Sequence, residues 1–453
     1  MIESFLRRQV FEPLYYTMTK SPQLSHYKKL EKSQYFPLKT LLEKQWERLI
    51  DILNFTYTNN SFYAAKWDAA GIAIKNIKNP GDFQNIPILT KKEIRLNTNA
   101  MISNGFSIAN LHKFKTGGST GKALELYITD ECSQIRNAAG RRSDSWSGWR
   151  PGEPVGMVWG NPPTISGFRY KFKNWLLNPS INLDTMCLTE ASIKKFEKEW
   201  RAVKPTLLFG HAHSLYMVAK MVKEFSCDCI RPKAIISSSM MLLPHERKTI
   251  EDVFGVKVSD RYGCEEVSLI ASECEQHEGL HLNIEHLYIE FLRENGEPAF
   301  PGEPARIIVT DLYNRAMPFI RYQMEDMGEY LDKQCACGRG LPLMANVAGR
   351  VADFLIKPDG SKVAGVSLIE NTLTKIKGID QMQIVQDSVD RIVIYMVAGV
   401  EYCETTKKEL FDYFLSVFSK KVDIVIELIA EIKPEKNGKY RFSICSVPQA
   451  QNT

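Results

Sequence analysis

The sequence predicts an α/β fold, a large body built on a mostly parallel sheet and followed by a small α+β unit. Three observations carry this. From about residue 105 to about 310, short apolar runs bounded by turns alternate with amphipathic stretches, the spacing of strand–helix units. Ahead of them lies a long stretch of helical periodicity. Beyond about residue 350 come two alternating runs, an amphipathic stretch and a further strand-like run, which suit a small α+β domain.

The lead-in, residues 1–80, reads as helical because Leu38, Leu42, Trp46, Leu49 and Leu53 recur at helical spacing with Glu43, Lys44, Glu47 and Arg48 between them. Residues 154–159, 206–209, 234–236 and 256–258 read as strands, and 193–203, 215–225 and 245–254 as the helices between them. Residues 287–292 and 306–310 read as later strands parted by the turn residues Glu294-Asn295-Gly296-Glu297. In the last unit 382–385 and 392–397 alternate, 405–418 is an amphipathic helix and 422–429 a strand. The boundary is expected near residue 351, giving 1–350 and 351–453.

At 453 residues the chain can bury a large core and divide into domains. Apolar residues make up 44% and charged residues 25%, as in soluble enzymes. Fifty-eight basic against 53 acidic residues leave a net charge of +5, and no basic run accompanies it, which argues against a nucleic-acid partner. The first sixteen residues carry Arg7 and Arg8 but no apolar core, so they do not read as a signal peptide. No apolar run is long enough to span a bilayer. The ten cysteines are scattered, which suits reduced thiols or metal ligands in a cytoplasmic protein better than a disulfide framework.

The most telling segment is Thr116-Gly117-Gly118-Ser119-Thr120-Gly121-Lys122, just before the alternating run Leu124-Glu125-Leu126-Tyr127-Ile128. Small residues let backbone N–H groups approach an anion, hydroxyls add donors and Lys122 adds charge, so the loop can grip a polyphosphate. It is not a Walker loop: Thr116 stands where that motif needs glycine and Ala123 where it needs Ser or Thr. A plain glycine turn is the competing reading. Four further clusters follow. Tyr262-Gly263-Cys264-Glu265-Glu266 comes after an expected strand, where α/β sheets place ligands and where a carboxylate could hold Mg²⁺ against phosphate. Asp326 closes the run from Asn314 and could take both hydroxyls of a ribose. Gly349-Arg350-Val351-Ala352-Asp353 lies at the expected boundary, and Asn437-Gly438-Lys439-Tyr440-Arg441 is a glycine turn presenting a lysine.

In this order and spacing the five clusters resemble the adenylate-forming superfamily of acyl-CoA ligases, luciferases and adenylation domains. The run from Ile86 to Arg95 (Ile-Pro-Ile-Leu-Thr-Lys-Lys-Glu-Ile-Arg) further resembles the phenylacetate–CoA ligase branch and its CapK-like members from capsular-polysaccharide loci. The resemblance spans roughly residues 80 to 446. It implies a multi-sheet body with a small mobile C-terminal lid. It implies ATP-dependent activation of a carboxylic acid as an acyl-adenylate, followed by acyl transfer to CoA. The alternatives are transfer to an amine or hydroxyl, for instance on a sugar, or a lapsed, zinc-stabilised binding module. Thr116 to Lys122 would form the phosphate loop. Glu266 would coordinate Mg²⁺, Tyr262 would stack on adenine beside Gly263, and Asp326 would bind ribose. Arg350 would contact phosphate at the hinge, and Lys439 would bridge carboxylate and α-phosphate. A homodimer is compatible with the resemblance.

Three departures stand out: Glu265 where Ser or Thr is common, no acidic residue near Met240, and Ala352 where the hinge often has Asp or Lys. Some members of the branch carry a structural zinc on a Cys/His pair and a Cys-x-Cys. The matching residues are Cys274, His281, Cys335 and Cys337, with His277 as the alternate ligand. His211-Ala212-His213 could put one histidine in an acyl pocket, but the plainer reading is a satisfied loop. Trp146, Trp149 and Trp159 read as core.

Overall fold

The computed structural model describes residues 2–115, 124–160, 168–293, 295–345, 347, 351–352, 354–399, 401–419, 421–432 and 441–447. The lead-in is helical as expected. Its longest helix, Leu38–Asn59, buries Leu41, Gln45, Leu49, Ile52, Leu53 and Thr56. Leu38 and Leu42, part of the expected stripe, are exposed instead. The buried face is turned toward a late strand, where Gln45 Nε2 donates to Leu287 O at 2.6 Å.

A hairpin of β1 (His112–Lys115) and β2 (Glu125–Ile128) comes next. The main sheet is built from β3 (Val155–Trp159), β4 (Ser180–Asp184), β5 (Leu207–His211), β6 (Ala234–Ser238), β7 (Val258–Cys264), β8 (Ser268–Glu273), β9 (Leu280–Leu282), β10 (Leu287–Leu292), β11 (Pro304–Asp311), β12 (Tyr322–Leu331) and β13 (Leu343–Met344). These eleven strands run in the order β10-β11-β12-β13-β9-β8-β7-β6-β5-β3-β4. From β4 to β7 neighbours are parallel, and from β7 to β10 they are antiparallel. The parallel half follows from its helices: Glu190–Val203, Ala212–Glu224 and Pro244–Phe254 bring the chain back across one face. There Phe196, Trp200, Leu215, Ile250 and Phe254 bury against Val158, Leu208, Ile235 and Val258. Each helix begins where sequence chemistry directs it. Thr189 and Ser192 form a capping box, and Pro244 opens the third helix.

The last unit is a five-stranded sheet, order β14-β20-β17-β18-β19, made by β14 (Val351–Ala352), β17 (Ile379–Ser388), β18 (Arg391–Ala398), β19 (Asp423–Leu428) and β20 (Arg441–Cys445). A hairpin of β15 (Phe354–Ile356) and β16 (Lys362–Ala364) and the helices Gly365–Lys375 and Glu404–Phe418 accompany it. Leu188 and Lys362 exchange two backbone hydrogen bonds of 2.8 and 3.0 Å, tying that hairpin to the body. The architecture is the expected one, a large α/β body and a small C-terminal sheet unit. Among the described residues no helix is long and apolar enough to cross a membrane.

Candidate functional site

At the junction of the parallel and antiparallel halves, β7 carries Tyr262 and Gly263 within the strand, which runs further than the sequence suggested. A bulge falls between them. A Cβ on Gly263 would lie 2.5 Å from Ser268 O, so only glycine lets β8 approach there. The bulge re-aims the Tyr262 side chain, and its hydroxyl donates to Asp326 Oδ2 at 3.0 Å. Glu266, buried in the turn before β8, accepts from Tyr322 Oη at 3.1 Å. Arg136 fixes that turn, donating to Glu266 O at 2.8 Å and to Asp311 Oδ2 at 2.5 Å. Partial desolvation by the surrounding turn raises the carboxyl of Glu265, which remains exposed, above its ordinary range, and the adjacent Glu266 adds to the effect. Thus Tyr262 and Glu266, four residues apart, both meet β12, which carries Asp326 and Tyr322.

The segment around Asp326 is held by an arginine. Arg321 adopts φ +51°, a left-handed backbone rare outside glycine. Its guanidinium forks onto Glu290 at 3.0 and 2.9 Å and donates to the Gln84 and Ile86 carbonyls. Leu89 pairs with both Arg321 O and Gln323 N at 2.9 Å. The Ile86–Arg95 motif is therefore docked on the strand that carries Asp326, and Thr90 with Glu93 caps the helix that follows. Sequence reasoning missed Asp260. Ser237, in the stretch where an acidic residue seemed lacking, donates its hydroxyl to this carboxyl, which burial pushes up to about 7. Among the predicted residues, Thr116, Gly117, Gly118, Ser119, Thr120, Gly121, Lys122, Arg350 and Lys439 lie outside the described residues.

A second group gathers around β9 and the loop before β13. The metal-binding atoms of Cys274, His281, Cys335 and Cys337 all lie within 4.8 Å of one another. Cys274 Sγ is 3.6 Å from Cys335 Sγ, and Cys337 Sγ is 3.3 Å from His281 Nε2. His281 Nδ1 lies 3.0 Å from Leu341 O, which fixes its proton on Nδ1 and leaves Nε2 as a lone-pair donor. Burial lowers this imidazole to about 4, so it is neutral, as a metal ligand must be. The Gln276 and Arg339 amides point at Cys274 and Cys337 at 3.5 and 3.4 Å. His277 stands aside, 3.2 Å from Glu273 Oε2, and His281 is the histidine that sits with the three cysteines.

The lead-in braces this loop. Gly340 N donates to Gln34 O at 2.8 Å. Trp146 Nε1 and Arg339 Nε both donate to Gln34 Oε1, at 2.8 and 3.1 Å. A Cβ on Gly340 would lie 1.9 Å from Phe36 O, so this contact also demands glycine.

The CapK C-terminal domain family matches residues 355–446. Protein CapK of Staphylococcus aureus is 24% identical over 421 residues, 90% of either chain. The phenylacetate–coenzyme A ligase of Escherichia coli (strain K12) is 24% identical over 327 residues, covering 69% of this chain and 71% of its own. Among solved structures, 2-hydroxyisobutyryl-CoA ligase with 2-HIB-AMP and CoA in the thioesterification state superposes with a TM-score of 0.63, covering 92% of each chain at 16% identity. The same ligase in the postadenylation state, with R3-HIB-AMP, gives 0.61 at 18% identity, covering 92% of this chain and 91% of that one. These structures share the fold.

Proposed function

We propose that this chain, an adenylate-forming protein of the CapK and phenylacetate–CoA ligase kind, activates a carboxylic acid with ATP and passes the acyl group to CoA. It is an AMP-forming ligase in class. The observation that carries the reading is the convergence of Tyr262, Glu266 and Asp326 where β7 passes from parallel to antiparallel pairing. Tyr262 and Glu266 stand toward and beyond the carboxyl end of β7, the side on which open α/β sheets take ligands.

The chemistry brings anion to anion. A carboxylate oxygen forms a bond to the α-phosphorus of ATP, the bond to pyrophosphate breaks, and an acyl-adenylate remains. The thiol sulfur of CoA then bonds to the acyl carbon and AMP leaves. In this reading Tyr262 stacks on adenine and Asp326 accepts from the ribose hydroxyls. Residues 116–122 donate to the phosphates, and Lys439 joins carboxylate and α-phosphate as charge builds. Arg350 contacts phosphate at a hinge, and residues 351–453 act as the lid that removes Lys439 before acyl transfer. Glu266 would hold Mg²⁺, which supplies positive charge against the phosphate oxygens when bound.

Cys274, His281, Cys335 and Cys337 would hold one Zn²⁺. Three sulfurs and one imidazole nitrogen fit a closed tetrahedral site, so the ion is structural. A second reading, transfer to an amine or hydroxyl, is favoured by one observation: protein CapK aligns over more of this chain than the ligase does. Carboxylate-dependent ATP–pyrophosphate exchange, screened over aryl, fatty, amino and hydroxy acids, tests the activation step, and no exchange with any acid defeats it. Dependence of product formation on CoA separates the two acceptors.

A further inference from the structure

The carboxyl edge of the parallel strands carries polar atoms that the nucleotide site does not use. Register places Trp159 beside Asp184 and His211 beside Ser238, with Phe209 level with Met157. Trp159 and His211 therefore meet across β3 and β5, ring centroids 3.7 Å apart and tilted by 45°. Trp159 also stacks on Phe209 at 5.8 Å, and Arg261, paired with Asp144, covers Phe209 from 4.9 Å. Of the two histidines read from sequence as a satisfied loop, His213 is satisfied, by Glu246, and His211 is not. His211 is fully buried, and among the described residues neither ring nitrogen has a hydrogen-bond partner. Ser214, in the first turn of the helix that follows, is equally buried with its hydroxyl unpartnered.

Leaving such groups unpaired is costly, and two so close in sequence, at the edge where α/β sheets take ligands, call for an occupant. Burial holds the His211 imidazole neutral, down to about 3. A neutral imidazole offers one donor and one acceptor. It matches a hydroxyl, which is both, and provides no charge for a second carboxylate.

We propose that His211, supported by Ser214, is a subsite for a hydroxyl substituent on the acid that this protein activates, with Trp159 as its flat apolar wall. The inference rests on the adenylation reading. It makes the substrate class hydroxylated carboxylic acids rather than plain aryl or fatty acids.

The test is pyrophosphate exchange with pairs of acids of one carbon skeleton, with and without a hydroxyl. Wild type should favour the hydroxylated member about tenfold or more in kcat/KM, chiefly through KM. His211→Met should erase the preference, bringing the kcat/KM values within each pair together. Its melting midpoint without ligand should be unchanged or higher, because it removes unpaired polar atoms. His211→Gln should restore part of the preference, and the milder Ser214→Ala should weaken it by a few-fold. Equal kcat/KM within every pair in wild type, or a preference that survives in His211→Met, overturns the proposal. If no acid supports exchange, the adenylation reading falls by itself. Calorimetric binding of the same pairs then judges the subsite: wild type must still discriminate and His211→Met must not.

Discussion

The Tyr262–Glu266–Asp326 group and the Cys274–His281–Cys335–Cys337 group are strung on the same two strands yet finished to different degrees. Glu266 stands just before β8 and Cys274 directly after it; Asp326 lies in β12 and Cys335 just beyond its end. The cysteine–histidine group faces inward on itself, four metal-binding atoms within 4.8 Å and an outer layer of backbone N–H and C=O groups already in place. In the other group each carboxylate accepts from a tyrosine hydroxyl, and a carboxylate can accept more than that. Closure on one side and spare acceptors on the other set the two groups apart.

The largest effect should come from the open side. Lys439→Ala is expected to cut exchange by about a hundredfold or more, the usual loss for a charge contact made in the transition state. Thioester formation from pre-made acyl-adenylate should change far less, and exchange at the wild-type rate would remove Lys439 from the chemistry. Next, Glu266→Gln should lower Mg²⁺-dependent turnover more than ATP affinity. Asp326→Ala should raise the KM for ATP roughly ten- to thirtyfold, the loss of two hydrogen bonds of about 1 kcal/mol each. The opposite pattern would show that the two carboxylates have exchanged roles.

The closed side should respond in stability instead. Protein purified without chelator and with thiols reduced should hold about one equivalent of zinc by elemental analysis. Cys335→Ser should lose the metal and melt several degrees lower, while the folded remainder keeps near-normal kcat. A kinetic loss as large as that of Lys439→Ala would erase the distinction between the groups, and zinc-free wild type would end the metal assignment.

The smallest effect is a pH slope from Asp260, behind Ser237. Burial raises this carboxyl from 3.8 to about 7, so the folded state binds its proton more tightly than the unfolded chain does. The resulting stability is full below about pH 4 and is lost as pH rises toward 7. Asp260→Asn should flatten that fall in melting midpoint, and an unchanged slope would exclude Asp260 as its source.

Much of this was legible in the sequence because period and motif are local properties. The helices after β4, β5 and β6 and the strands β5, β6, β10 and β11 follow their apolar spacing. β4, Ser-Ile-Asn-Leu-Asp, has only Ile181 and Leu183 as apolar residues and gave no comparable signal. Cys-x-Cys with an earlier Cys and His pointed to the cysteine–histidine cluster, yet which histidine joins it depended on β9 pairing with β13. Tyr262 lies inside β7 because β8 folds back on it, a long-range fact absent from the run around Val258. The unpaired state of His211 was hidden for the same reason: sequence names the donors but not who fails to meet them.

The contact of Gln34 and Phe36 with Arg339 and Gly340 also sets an order of events at the ribosome. These partners are 305 residues apart for Gln34 and Arg339. At roughly 5–20 residues per second, the lead-in waits about 15–60 s for the segment that completes its surface. The helices of the lead-in are thus locked late, and until then Gln34, Trp146 and the stripe around Leu41 depend on shielding from other chains or from chaperones.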